Sequence, residues 1–573
     1  MNGAEDDAEK SLEQIAHCQG TSIVSLLMDI QKSTFKQEIF TPFLENLYCL
    51  KRDQPQAKSL HLEKINARKN HKYVALSYTW SEPMYEDLEQ GGYEVRSRRK
   101  GRIYFDPSMV KDCIFDRIFG YMQKFGLHHL WIDQHSIPQK ACEIECHHWR
   151  CNQKRKGLNA MDLVYRLSHH PVALLATTIE NQHDLQLLGH ILGGGLVENG
   201  ERERHFKFSE GTTQEVIETA VELLKKMTGD RWWTRGWIFQ ESYRSGAEMK
   251  LLVRHASGLE TLKLSIGKSL FGELFGELCI NLVDFSYQAT RLCLAFKTMW
   301  PPQPQAQDAI QQILTTAGRY TLLLEEHESM SPTIISDIGR RDLEHQWDRL
   351  TIVANCCQYS TRLKIRELQQ KDQSLSLSML ALWLLNGEIF YNKGDTGPLS
   401  KMNVLDFLTS HSFKGFYAPL SRRSLSFNKG CRFPYVKLTR DGVSTKGHLW
   451  KLGKRISSSE IHRQSSCEDK RRQGNLRPEV RRRLTQLADL LRNRGYSELE
   501  HQLRTFLKRN MRDGSDGSSA RTFAGKYMQM MAEEVADAIS EGLTLRLACL
   551  QKPREFSSGE PNFFGIHGLL SKT

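Results

Sequence analysis

Short apolar runs alternate with helix-period segments in the first half of the chain, and this alternation limits the folds open to it. Tyr73 to Thr79 alternates β-branched, aromatic and small side chains, which favours a strand, whereas Ser108 to Phe125 carries apolar residues at helical spacing. A short apolar run at His128 to Asp133, a helix at Ala160 to Leu167 and a buried strand at Pro171 to Thr177 follow. This order predicts an α/β fold with a parallel sheet and flanking helices.

The predicted strand ends carry polar and aromatic side chains. In open α/β sheets, ligands bind beyond the carboxyl ends of the strands. Tyr78 and Trp80 end the first predicted strand, Asp133 and Gln134 the second, and Thr177 the third. The sequence therefore predicts that these side chains converge on one cleft. Asp133 also fits a simpler role, since an Asp at a strand end commonly caps the turn that follows.

The segment Asp230-Arg-Trp-Trp-Thr-Arg-Gly-Trp-Ile-Phe-Gln-Glu241 is rich in the side chains of binding sites. Trp and Arg provide flat stacking surface and fixed guanidinium forks. Trp237 and Glu241 are four residues apart, which places ring and carboxylate on one face of a predicted helix. Arg235 precedes that helix and fits a phosphate-binding role. A buried aromatic helix start, with the arginine in a structural ion pair, would produce the same pattern.

Three segments, in this order and spacing, resemble the signatures of the fungal heterokaryon incompatibility (HET) domain. The first motif is His71-Lys-Tyr-Val-Ala-Leu-Ser-Tyr-Thr-Trp80, the second is Leu130-Trp-Ile-Asp-Gln-His-Ser-Ile-Pro-Gln139, and the third is the segment from Asp230 to Glu241. The family pattern runs Tyr-x-Ala-Leu-Ser-Tyr-x-Trp-Gly, Leu-Trp-Ile-Asp-x-x-Cys-Ile-x-Gln and Arg-x-Trp-Thr-x-Gln-Glu. The resemblance implies a role in fungal non-self recognition or programmed cell death. Ser136 replaces the usual Cys of the second motif, which argues against a thiol nucleophile there.

The HET domain is considered a distant relative of the Toll/interleukin-receptor (TIR) fold, a flavodoxin-like sheet in which several members cleave NAD. TIR enzymes carry an essential glutamate in a Trp-Cys-x-x-Glu pattern, and Trp237-Ile-Phe-Gln-Glu241 has the same spacing. The resemblance therefore implies Glu241 as the catalytic carboxylate, with NAD as a possible substrate and no bound cofactor. Cleavage of the ribosyl–nicotinamide bond develops positive charge that a carboxylate stabilises. The predicted substrate-binding residues are Tyr78, Trp80, Asp133, Arg235 and Trp237.

A non-catalytic signalling module is the main alternative, because the same three motifs could serve as a core. Its partners would be further copies of the chain or other death-signalling proteins. The sequence has no G-x-G-x-x-G, P-loop or H-E-x-x-H motif, so those nucleotide-binding and metalloprotease classes receive no support.

By pattern, the chain divides into a variable lead-in (1–40), the HET-like region (40–255), a helical region (256–445) and a basic helical region (446–573). Most of the net charge of +12 comes from Lys451 to Asp513, which has 17 Lys/Arg against 8 Asp/Glu. A basic helix starting near Pro478 has an apolar face made of Val480, Leu484, Leu487 and Leu491. This favours a packed helix with a solvated basic face. Binding to nucleic acid or acidic lipid is the weaker alternative, because no aromatic residues interleave with the arginines as a base-stacking surface requires.

Cys142, Cys146, His147 and Cys151 are potential metal ligands within ten residues. Their C-x3-C and C-x4-C spacings lack the paired C-x2-C of zinc knuckles. The sequence therefore favours a locally helical segment with reduced thiols and no metal.

Targeting segments are not evident. The acidic start does not resemble a secretory signal, and the longest apolar stretch, Leu375 to Leu385, is shorter than the roughly 20 residues that span a bilayer. We expect a cytoplasmic protein without a transmembrane segment, with its thirteen cysteines reduced.

Overall fold

The computed structural model divides the chain into two compact units, residues 1–445 and 446–573. It describes residues 7–54, 56–80, 89–99, 102–139, 142, 148–200, 205–299, 304–323, 330–389, 398–412, 432–433, 435–445, 450–462, 476–512, 532–533, 535–550 and 563–567.

A nine-stranded mixed sheet forms the centre of the first unit. Its strands are β1 (Leu47–Arg52), β2 (Ser59–Ile65), β3 (Val74–Ser77), β4 (Glu94–Arg99), β5 (Arg102–Pro107), β6 (Leu130–Trp131), β7 (His170–Ile179), β8 (Lys250–His255) and β9 (Glu277–Asn281). They lie side by side in the order β9-β8-β7-β3-β6-β1-β2-β4-β5. The neighbours β6, β3, β7 and β8 pair in parallel. Numbered by chain order, these four lie as 2-1-3-4, the order that begins a flavodoxin-like sheet.

The α/β prediction is confirmed, but the sheet is mixed rather than wholly parallel. β9 pairs antiparallel with β8, and β1 pairs antiparallel with both β2 and β6. The sequence pattern missed β5, which is exposed along almost its whole length. An edge strand without a buried face leaves no apolar alternation to detect.

The region 256–445, predicted to be helical, includes one strand of the central sheet. Glu277–Asn281 is strand β9, and the next helix starts at Leu282. A short buried apolar run has the same composition in a strand and in a helix, so periodicity alone does not separate them.

Helices cover both faces of the sheet. On one face, α1 (Asp112–Lys124) shares a core with Val74 and Leu76 of β3. The core on the other face includes Ala75 of β3 and residues of several helices. Among them are α2 (Trp149–Leu167), α3 (Gln182–Leu192), α4 (Gln214–Thr228) and α5 (Gly236–Ser245). Successive strand residues point to opposite faces, which explains why neighbouring apolar residues of β3 serve different cores.

Arg117 of α1 fastens that helix to three strands. The register between β7 and β8 shifts beyond Leu252. The Arg117 guanidinium donates to the carbonyl groups of Leu175 and Leu252, both at 2.9 Å, and to the two carboxylate oxygens of Glu277 at 2.6 and 3.0 Å. Both charged side chains are almost fully buried. A buried ion pair is tolerated when further hydrogen bonds satisfy its atoms, as these carbonyl groups do here.

The rest of the first unit is mainly helical. Its further α-helices are Leu12–Cys18, Ile23–Lys32, Thr41–Glu45, Asp133–Ser136, Glu260–Ile266, Lys268–Phe271, Leu282–Met299, Pro304–Ala317, Tyr320–Leu323, Met330–Gly339, Asp348–Cys356, Ile365–Gln370, Leu375–Leu385 and Val404–His411. Small antiparallel pairs join Thr34–Lys36 to Thr361–Leu363, Val197–Asn199 to Phe206–Phe208, and Lys437–Thr439 to Gly442–Ser444. Within the described ranges, no helix combines the length and the apolar character needed to cross a membrane.

The second unit contains the predicted basic helix, Pro478–Asn493, whose apolar face is buried. Two more helices, Ser458–His462 and Ser497–Arg512, lie in this unit with an antiparallel sheet of Trp450–Ile456, Thr544–Leu550 and Phe563–His567. Several of its arginines pair with acids, namely Arg482 and Arg483 with Glu479, Arg492 with Glu500, and Arg494 with Glu460. The helical C-terminal prediction is confirmed, and the three-stranded sheet accompanies these helices.

Two helical glycines have contrasting surroundings. A Cβ at Gly157 of α2 would lie 2.9 Å from both Cδ1 and Cγ1 of buried Ile137, whereas one at Gly120 of α1 would meet no atom within 4 Å. Because alanine favours helix, we expect Gly120→Ala to raise the free energy of unfolding by about 0.5–1 kcal/mol. Gly157→Ala should lower it by about 1–3 kcal/mol through overpacking. Urea unfolding followed by circular dichroism measures both, and a shift of the same sign would contradict this packing.

Candidate functional site

The ends of the adjacent strands β3 and β6 bring the first and second motifs together. The Tyr78 hydroxyl donates to Gln134 Oε1 at 2.8 Å, and Trp80 Nε1 donates to Asp133 Oδ1 at 3.3 Å. Tyr78 is buried, whereas Trp80 is 45% exposed. The carboxyl edge of the parallel strands thus presents a carboxyl group beside an exposed indole ring.

Asp230 begins the third motif and fixes it to the end of β7. Its Oδ2 accepts hydrogen bonds from the backbone N–H groups of Ala176 and Thr177 at 2.7 and 2.8 Å and from the Thr177 hydroxyl at 3.0 Å. Its Oδ1 accepts from the backbone N–H of Trp232 at 2.9 Å. The fully buried Trp232 indole donates to the Ser77 hydroxyl at 2.9 Å. The third motif is therefore tied to β3 and β7 before α5 begins.

Glu241 lies on α5 and is only 5% exposed. Its carboxyl group hydrogen-bonds to Ser77, at the end of β3, and to Tyr165, on α2. The Tyr165 hydroxyl also hydrogen-bonds to the carbonyl group of Leu76, at 2.8 Å.

Burial raises the pKa values of both carboxyl groups, but by different amounts. Loss of hydration raises the pKa of Glu241 to about 8, and the charge of Asp133 adds to the shift, against hydrogen bonds from Ser77 and Tyr165 and the charge of Arg235. Loss of hydration also raises the pKa of Asp133 to about 6, against its hydrogen bonds and the same arginine. At neutral pH, Asp133 is therefore mostly ionised and Glu241 mostly protonated. Such separated pairs are characteristic of acid–base sites.

Arg235 and Trp237 lie at the start of α5 but have different surroundings. The charge of Arg235 lowers the pKa of both Asp133 and Glu241, so its guanidinium lies near them. The Trp237 indole donates to Asp348 Oδ2 at 3.1 Å and packs against the cores of both the sheet and the helical region. The structure thus groups four of the predicted binding residues with Glu241 and places Trp237 at the contact between α5 and helix Asp348–Cys356.

Ser77, Tyr165 and Asp230 have site roles that the sequence interpretation did not assign. The sequence could have pointed to Ser77, since it is a small polar residue that ends an otherwise apolar strand. No sequence pattern could have pointed to Tyr165, because only the tertiary fold brings α2 beside Glu241. Ser136, which replaces the usual Cys, is buried, and its hydroxyl accepts from the backbone N–H of Ile132 at 3.2 Å. This hydrogen bond gives it a structural role.

A cavity of about 440 Å³ lies elsewhere in the first unit. Trp233, Tyr243, Arg319 and Arg341 are among its lining residues, and neither Asp133 nor Glu241 is. Neither carboxyl group therefore belongs to that cavity.

Asp230 should contribute strongly to stability. Asn has a single acceptor oxygen in place of two, so Asp230→Asn leaves at least one of the four donors facing an amide N–H. We expect the free energy of unfolding to fall by roughly 2–4 kcal/mol. Thr177→Val removes only the hydroxyl donor and should cost about 1 kcal/mol. Urea unfolding compares the two, and an equal or smaller loss for Asp230→Asn would contradict the anchoring role.

Burial of Glu241 should make stability depend on pH. Its pKa rises from an ordinary 4.5 to about 8 on folding, so the folded state holds the proton more tightly. The contribution of this proton to the free energy of unfolding is fully present below pH 4.5. It is lost as the pH rises towards 8, by up to about 1.4 kcal/mol per pH unit. Glu241→Gln keeps the hydrogen bonds of the protonated acid, so its unfolding free energy should depend less on pH. Parallel slopes for the two proteins between about pH 5 and 8 would show that Glu241 is ionised in the fold.

Comparison with known proteins finds one protein family that is similar to part of the chain. A family model described as heterokaryon incompatibility protein (HET) matches residues 73–241. Searches of curated proteins and of solved structures give no match. The matched segment runs from the residue before β3 to Glu241 itself, and this similarity suggests a heterokaryon-incompatibility-type function. The segment that contains both carboxyl groups is thus similar to the heterokaryon incompatibility family.

Proposed function

We propose that this protein acts in fungal non-self recognition or programmed cell death, and that the cleft beside Asp133 and Glu241 cleaves NAD. The family match to residues 73–241 supports the first part. One observation carries the second part: two carboxyl groups with separated pKa values lie at the carboxyl edge of parallel strands, where α/β sheets bind ligands.

The proposed reaction is hydrolysis of the bond between nicotinamide and ribose. The C–N bond breaks, and its electron pair moves to the nicotinamide ring, which loses its positive charge. Water adds to the ribose carbon and releases a proton, so the products are nicotinamide, ADP-ribose and a proton. The transition state carries positive charge on the ribose, which a neighbouring carboxylate stabilises.

The two carboxyl groups divide this role. Asp133, with a pKa of about 6, is mostly ionised at neutral pH and provides negative charge before substrate arrives. Glu241, with a pKa of about 8, is mostly protonated in the empty cleft. A cationic nicotinamide ring nearby lowers the pKa of a carboxyl group. Substrate binding therefore favours the ionised form of Glu241, the carboxylate that the family resemblance implies.

The surrounding side chains suit the rest of the substrate. Trp80 has an exposed ring that can stack on a nicotinamide or adenine base. Arg235, whose charge reaches both carboxyl groups, pairs with the pyrophosphate. Tyr78 holds Gln134 at the cleft through its 2.8 Å hydrogen bond. We assign Trp237 to positioning α5, because its indole N–H binds Asp348.

A non-catalytic module that acts by association is the second candidate. It is favoured by the burial of Glu241 and Trp232, both of which are hydrogen-bonded within the fold as core residues are. Its partner would be another copy of the chain or another death-signalling protein. Nucleic-acid binding has less support, since arginines of helix Pro478–Asn493 form ion pairs with acids of the same unit.

Nicotinamide release from NAD by the purified full-length protein tests the proposal. We expect Asp133→Asn and Glu241→Gln each to lower the rate at least about 100-fold, because each removes a charge that stabilises the transition state. Asp53→Asn is the control, since Asp53 pairs with His61 and Arg96 away from the cleft. Circular dichroism confirms that each variant is folded. An unchanged rate in either cleft variant would remove that residue from the mechanism, and cell death undiminished in both would favour association.

The rate of nicotinamide release should increase with pH. The value of kcat/KM should rise between about pH 5 and 9, because both carboxyl groups act as anions and their pKa values in the free protein are about 6 and about 8. The residual activity of Glu241→Gln should level off above about pH 7, once Asp133 is ionised. A rate that falls through this range would contradict the anionic roles.

A further inference from the structure

Three side chains with soft metal-binding atoms meet where the second motif approaches α2. Cys142 Sγ lies 3.3 Å from His148 Nδ1, and the backbone N–H of Cys142 donates to Cys151 Sγ at 3.2 Å. The two sulfur atoms and the ring nitrogen all lie within 4.8 Å of one another. Ligands bound to one zinc ion, with Zn–S near 2.3 Å and Zn–N near 2.0–2.1 Å, are separated by roughly 3.5–4 Å in a tetrahedral arrangement. The cluster is therefore already compact enough to hold such an ion.

The local backbone explains why these three residues meet. His148 is the N-cap of α2 and makes no side-chain capping hydrogen bond, and Cys151 is the third residue of that helix. The first turn of a helix favours negative charge, which stabilises a thiolate there. Cys151 is buried, whereas Cys142 and His148 are exposed. The cluster thus combines a fixed buried sulfur with two ligands that an ion can reach from solvent.

We propose that Cys142, His148 and Cys151 bind a soft divalent metal ion, zinc, through two sulfur atoms and one imidazole nitrogen. Water supplies the fourth ligand of a tetrahedral site. Binding two thiolates releases the protons of the two thiols, so affinity rises with pH. The set differs from the one weighed from spacing alone, of which Cys146 and His147 lie outside the described residues.

The ion would join the loop after the second motif to α2. Gln139 Nε2 donates to the carbonyl group of Asp133 at 2.8 Å, and Lys154 Nζ of α2 donates to the carbonyl group of Gln139 at 2.9 Å. Ile137 packs against Gly157 of the same helix. These contacts already place the loop along α2, and a metal bond to Cys142 fixes its far end. The metal ion would therefore have a structural role, holding the loop after the second motif against α2. This assignment does not depend on whether the protein cleaves NAD.

Metal binding by the full-length protein, purified under reducing conditions and treated with chelator, tests this assignment. We expect uptake of one Zn²⁺ per chain, and Co²⁺ in its place should give the visible and sulfur-to-metal absorption bands of a tetrahedral thiolate site. Cys142→Ser and His148→Ala alter exposed residues, so both variants should fold. Each should weaken Zn²⁺ binding by more than the roughly 10–100-fold that loss of a supporting outer residue costs. Cys18→Ser, which alters an exposed cysteine on another helix, should bind as the parent does.

Three results would overturn the assignment. The reduced parent protein could take up no Zn²⁺ or Co²⁺. It could bind the ion equally well with Cys142→Ser or His148→Ala. Alternatively, mass mapping without reductant could find Cys142 and Cys151 joined in a disulfide while the reduced protein binds no metal, which would make the pair a redox element.

Discussion

The irregular stretch of β7 beside Leu175 fixes the positions of the motifs. A register shift in a buried sheet leaves backbone groups that need new partners. Arg117 of α1 binds the carbonyl groups of Leu175 and Leu252, and Asp230 accepts from the next two N–H groups of β7. The two charged side chains come from elements that pack in the cores on opposite faces of the sheet. Together they supply hydrogen-bond partners for the backbone groups at the register shift and hold this part of the sheet in one conformation.

The hydrogen bonds of Asp230 with β7 determine where the third motif lies. Because Asp230 also binds the backbone of Trp232, the turn before α5 has one orientation relative to β7. The Trp232 indole then reaches Ser77 at the end of β3. With the start of α5 fixed, Glu241 hydrogen-bonds to Ser77 at the end of β3 and to Tyr165 of α2. The residues of the candidate site thus derive their geometry from contacts with the sheet and with α2.

The same geometry explains why the two carboxyl groups differ. Asp133 follows a strand end, beside the exposed Trp80 ring, and retains partial contact with solvent. Glu241 lies on α5 and is buried. Desolvation penalises the charged form of both groups. At Glu241 the nearby negative charge of Asp133 adds to this penalty, so Glu241 keeps its proton to a higher pH than Asp133 does.

Local pattern alone determined the α/β class, the strand that carries the first motif, the helices that flank the sheet and the buried face of the basic helix. These features depend on which face of a segment is apolar, and periodicity reports that directly. The tertiary structure decided the antiparallel flanks of the sheet, the contact of Tyr165 with Glu241 and the side on which Trp237 lies. It also placed His148 beside Cys142 and Cys151. Each of these depends on partners that are distant in the chain or on the angle of a turn, and the residue spacing in one segment contains no information about either.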